Sequence, residues 1–121
     1  MEKEKFEKLV EKALADLPKT FKKYFQNVAV MIEDYPSKET RASTGTPSYA
    51  TLLGLYHGVP FKHRGPYYGN TPPDVIVLYQ RPIENLCRTE GEVKTKVKEV
   101  LLHEVGHYFG LSEKELRKIE K

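Results

Sequence analysis

The chain has 121 residues, 39% hydrophobic and 31% charged, with a formal net charge of +3, the balance of one modest globular domain spanning 1–121. Its Lys residues are mixed with Glu near the two ends, which reads as solvated helix faces rather than a nucleic-acid surface. One cysteine, Cys87, excludes an intramolecular disulfide, and the sequence shows no 18-residue apolar stretch and opens on no apolar run of signal-peptide type, so no membrane span is expected and a reducing cytoplasm is the expected compartment.

From Glu4 to Leu17 the apolar residues Phe6, Leu9, Val10, Ala13, Leu14 and Leu17 fall at helical spacing, and Pro18 stops the helix. A short helical turn is expected over Lys19–Phe25. Val28–Glu33 (VAVMIE) is a β-branched run that predicts a strand; it is the choice for an exposed edge that could add an extended peptide, with a buried central strand as an equal alternative. Ser37–Ser48 is polar, contains Gly45 and Pro47, and reads as a loop. Leu52–Tyr56 predicts a short strand. His57–Pro73 carries three Gly and four Pro, so a long irregular loop is expected there, of the kind that is usually functional. Asp74–Gln80 (DVIVLYQ) is the clearest strand.

Thr89 and Glu92 form a capping box for a long helix running to about Phe109, with Val93, Val97, Val100 and Leu101 on its inner side. Gly110 is the expected left-handed residue that ends it, and Ser112 with Glu115 opens a short last helix to Glu120. Together these elements predict an α+β fold, a small mixed sheet packed against helices.

The chemistry is concentrated in VLLHEVGHYFGLSE, Val100–Glu113, which contains H-E-x-x-H at His103, Glu104 and His107. Residues four apart on a helix share a face, with Cβ atoms about 5–6 Å apart, so two imidazoles can converge on one Zn²⁺. Glu104 is about 100° round the helix, placed to take a proton from an attacking water and return it to the leaving amine. A catalytic zinc site needs a third protein ligand. Had the helix continued, position +10 would lie about 9 Å beyond His107. A chain reversal at Gly110 instead brings Glu113 back towards the metal; Glu115 is the weaker alternative, better explained as a cap. With four His and fourteen Glu in the chain, chance gives HExxH about 1–2% of the time, and the further Gly and acid reduce this to about 0.02%. That weighs against His103 and His107 being ordinary core histidines.

These segments resemble the small bacterial zincin-like metallopeptidases, a minimal metzincin-like family. The resemblance covers roughly Val28–Leu116 and is carried by VAVMIEDYP, LLGLYHGVPF, DVIVLYQRPIENLCR and the helix ending VLLHEVGHYFGLSE. It implies a minimal zincin-like fold with the active-site helix near the C-terminus, Zn²⁺ on His103, His107 and Glu113, Glu104 as acid/base, and a peptide or protein substrate. The Met-turn of full metzincins has no counterpart, since the only methionines are Met1 and Met31.

His57, His63, Arg64, Tyr67 and Tyr68 in the Gly/Pro-rich loop are candidates for contacting substrate or stabilising an oxyanion, against the plainer reading of surface loop residues. Two other functions compete with peptide hydrolysis. One is a metal-dependent endoribonuclease of the rRNA-maturation type, which also spaces ligands at 0, +4 and +10 but lacks the Glu after the first His. The other is a zincin-fold binding module with weak or no proteolysis.

Overall fold

The protein is described by a computed structural model. Residues 1–26, 28–45, 52–57 and 74–108 are described, with side chains at the C-terminal end described through Gly106. The expected loop over 58–73, Gly110, Glu113 and the short last helix lie outside the described residues.

Helix α1 (Lys3–Ala15) buries Phe6, Leu9, Val10 and Ala13 on one stripe. It stops two residues earlier than the apolar spacing suggested, because a residue before proline is disfavoured in the helical region. Leu17 nonetheless remains in the core, only 3% exposed. Pro18 caps α2 (Lys19–Lys22), and a single 3₁₀ turn follows over Lys23–Phe25. Phe21 is fully buried there and meets Tyr24 edge-on at 5.2 Å.

Strands β1 (Val28–Glu33), β2 (Gly54–His57) and β3 (Asp74–Tyr79) form one sheet in the order β1-β3-β2. β1 runs parallel to β3, with Val30 opposite Ile76, while β2 runs antiparallel, with Tyr56 opposite Ile76. The central strand is therefore the apolar DVIVLY, and both β1 and β2 are edges.

The polar stretch expected to be a loop holds helix α3 (Lys38–Thr44), which corrects that expectation. The Ser37 side chain accepts the Thr40 N–H at 3.0 Å, and Gly45 closes the helix at φ 71°. No residue of α3 is buried, so the helix carries no apolar stripe; the signal lay only in its two caps.

Helix α4 (Gln80–Asn85) follows β3 directly, with Pro82 in its first turn, where a missing N–H costs nothing. Helix α5 (Glu90–Tyr108) opens with the expected capping box. Glu92 N–H donates to Thr89 Oγ1 at 3.1 Å, and Thr89 N–H donates to Glu92 Oε2 at 2.9 Å. Val93, Val97, Val100, Leu101, Leu102 and Val105 of α5 pack with α1 and with Ile76 and Leu78 in one core. Exposed ion pairs Lys5–Glu90 and Lys94–Asp16 join α1 to α5 as well, though such pairs contribute little beside the apolar burial. This is the α+β architecture expected, with a small mixed sheet against helices. Among the described residues no helix is long and apolar enough to cross a membrane.

Candidate functional site

The core grips α5 through its Val and Leu face, and this leaves His103 and Glu104 half-buried at the side that meets β2. The His103 ring is turned by its own helix: Nδ1 lies 2.8 Å from the Glu99 carbonyl oxygen, one turn back. A carbonyl only accepts, so Nδ1 is the donor in this bond. A backbone acceptor on one ring nitrogen is the usual way to orient the other towards a metal.

Glu104 reaches across to the sheet, where its Oε1 accepts the Tyr56 backbone N–H at 3.1 Å. The strand geometry explains why that N–H is available. Tyr79 N–H donates to the Leu53 carbonyl at 3.0 Å, so residues 53, 55 and 57 turn their backbone groups to β3, and Gly54 and Tyr56 turn theirs outward. The Tyr56 hydroxyl in turn donates to Asp74 Oδ2 at 2.7 Å, at the start of β3.

A pocket of about 240 Å³ opens beside this pair. Leu52, Leu53, Gly54 and Val100 line it together with His103 and Glu104, and the Lys96–Glu99 ion pair, 2.8 Å long, stands at its border. Larger grooves lie between α1 and β1 (about 540 Å³) and around Cys87 (about 610 Å³). Neither is lined by an imidazole. Burial pushes the Cys87 thiol up from its ordinary value, with Glu92 adding to the effect, which keeps it protonated and poorly nucleophilic. The phenol of Tyr79 is also raised, first by burial, then by the Glu33 charge; a hydrogen bond with Thr40 opposes this, and the Glu104 charge adds a smaller push.

Residues 25–121 match the zincin-like metallopeptidase family. The chain belongs to that family. A solved structure of a conserved hypothetical protein from Thermus thermophilus is similar to this zincin-like chain, with 26% identity over 88% of this chain and 92% of the other, at a TM-score of 0.56. No curated protein matches it significantly.

Zincin-like proteins imply zinc in general, and the His103 imidazole is a donor type that suits that ion. The His103 ring is oriented through its Nδ1, and His107 stands one turn further along the same helix. The His107 side chain and Glu113 lie outside the described residues, as do His63, Arg64, Tyr67 and Tyr68. Among the described residues no group of three His, Cys, Asp or Glu side chains is gathered for a metal. His57 is described: it is exposed at the end of β2, and strand alternation turns it to the face opposite Tyr56. The structure does not bring it to Glu104 with Tyr56. Sheet order makes β1 an edge strand, as expected from sequence, and β2 the other edge; it is β2 that meets the zincin-like helix α5, through the Tyr56–Glu104 bond. Tyr56 and Asp74 were not singled out in the sequence. Their pairing depends on the β2–β3 register across a long connection, and no local pattern carries that.

Gly54 is where this zincin-like site is tightest. A Cβ there would sit 2.6 Å from Val100 Cγ1 and 3.2 Å from the Val77 carbonyl oxygen. The first neighbour is a stiff β-branched side chain and the second is backbone, so neither yields cheaply. Gly54→Ala is expected to lower stability by about 1–3 kcal/mol in urea unfolding and to weaken amide protection at Tyr56. Unchanged stability and protection would show that β2 does not depend on this close approach.

Proposed function

We propose that this chain is a zinc-dependent peptidase that hydrolyses a peptide or protein substrate. In this reading His103, His107 and Glu113 hold the ion and Glu104 is the general base. The observation that carries it is the pair at the end of α5: an imidazole oriented through its Nδ1–H, next to a carboxylate anchored at an outward strand edge. Bound zinc would supply a Lewis acid that polarises a carbonyl and lowers the pKa of water to about 7. Membership of the zincin-like family and the H-E-x-x-H spacing support the same reading.

The protein's own groups then have distinct tasks. His103 fixes one coordination direction through the Glu99 carbonyl. Glu104 removes a proton from the attacking water and delivers it to the leaving nitrogen. Gly54 turns its backbone N–H and carbonyl outward along β2, and Tyr56 its carbonyl, along the edge on which an extended substrate chain would pair. The 240 Å³ pocket beside them has room for one apolar side chain. The test is cleavage of casein, an unfolded protein, by zinc-supplemented protein. Hydrolysis that a chelator abolishes and added zinc restores is expected. Intact casein at all zinc levels, with structured RNA cut instead, would favour the endoribonuclease; neither activity would leave the binding module.

A further inference from the structure

We propose that Tyr56 is a positioning residue for Glu104, and that Asp74 fixes Tyr56 for that task. The inference rests on Glu104 being the general base.

A glutamate side chain has three rotatable bonds and samples several rotamers on a half-buried helix surface. General-base catalysis needs one of them, since the oxygen must lie within hydrogen-bond reach of the proton it takes. Here the Tyr56 N–H holds Oε1 at 3.1 Å. That commits one carboxylate oxygen to the strand and narrows the orientations open to the group. The anchor is only as good as the strand that supplies it. β2 is a four-residue edge strand, and Tyr56 is its penultimate residue, a position where strands open readily.

Asp74 removes that weakness. It is the first residue of the central strand, 8% exposed, and lies opposite Val28 in β1. Its Oδ2 accepts the Tyr56 hydroxyl at 2.7 Å, a short bond of the strong charge-assisted type. The ring of Tyr56 packs against the main core between these two polar ends. Tyr56 is therefore held by its hydroxyl to the most constrained strand, while its backbone holds the carboxylate. A buried carboxylate is costly unless it is hydrogen-bonded; at this position its bond sets the direction of a reactive group 30 residues later in the chain.

The test compares Tyr56→Phe, Asp74→Ala, Asp74→Asn and Glu104→Ala with the full wild-type chain. The first readout is hydrogen exchange of the Tyr56 amide by NMR on metal-free protein, which requires no activity. Exchange is expected to quicken by about tenfold or more in Glu104→Ala, Tyr56→Phe and Asp74→Ala, and to stay near wild type in Asp74→Asn, whose side-chain oxygen still accepts the phenol. The second readout is casein hydrolysis by zinc-loaded protein. In Tyr56→Phe and Asp74→Ala, kcat is expected to fall about 10- to 100-fold, with KM and zinc affinity, measured by chelator competition, within about twofold of wild type. The double variant Tyr56→Phe/Asp74→Ala should lose no more than the worse single one, because the two residues act as a unit. Unaltered Tyr56 exchange in Glu104→Ala and Asp74→Ala would overturn the proposal. So would an activity loss that merely tracks loss of zinc or of folded protein. If wild type cleaves nothing, the peptidase reading fails, but the exchange data still decide whether this anchor exists.

Discussion

Glu104→Gln is expected to reduce casein hydrolysis by about 10²–10⁴-fold, the usual contribution of a positioned general base, while zinc remains bound. The substitution is selective for a physical reason. A glutamine Oε1 can still accept the Tyr56 N–H that Glu104 Oε1 accepts at 3.1 Å, so the side chain stays where it is. The amide, however, cannot take up a proton at neutral pH. His103 keeps its orientation too, since its Nδ1–H bonds to the Glu99 backbone carbonyl, which the substitution leaves in place. The informative comparison is rate against zinc content in the same preparation. A variant with full zinc and wild-type turnover would remove Glu104 from the chemistry. A variant that loses zinc would make it a ligand or a structural group instead.

The second large effect is on folding. Phe6→Ala should destabilise the protein by about 3–5 kcal/mol, the range for truncating a buried aromatic side chain. Phe6 is 0% exposed and belongs to the core that α1 shares with α5 and the sheet. Small domains hold only about 5–15 kcal/mol in total, so this variant approaches the limit of folding at room temperature. Leu86→Ala is the matched control: Leu86 is 56% exposed, and its truncation should change stability by no more than about 0.5 kcal/mol. Urea unfolding followed by circular dichroism measures both. A loss under about 1 kcal/mol in Phe6→Ala would mean that α1 is an appendage and not part of the core that sets α5, and with it His103 and Glu104, against β2.

Those two residues show how far the sequence reaches. Phe6, Leu9, Val10 and Ala13 announce α1 because their spacing matches the helix period, and the buried face they predict is the one observed. Val28–Glu33 and Asp74–Tyr79 were legible for the matching reason in strands, and the Thr89–Glu92 capping box marked the start of α5. Helix α3 was not legible, since its residues bury nothing and leave no period to read. The pair His103 and Glu104, proposed above for the chemistry, stood out because helix geometry alone places it. The Tyr56 N–H and Asp74 did not stand out, because their roles come from β2 lying antiparallel to β3 and over α5. Sheet order is a property of the assembled core, and the same hydrophobic strands would read identically in another order.

Zinc binding by equilibrium dialysis and metal analysis, on wild type and on His103→Ala, tests the centre of this account most directly. About one zinc per chain is predicted for wild type. Loss of an outer-shell partner alone weakens metal sites by about 10–100-fold, so removing the ligand itself should weaken binding by more than about a hundredfold. A wild-type protein that holds no stoichiometric zinc, or a His103→Ala variant that holds it equally well, would contradict the account.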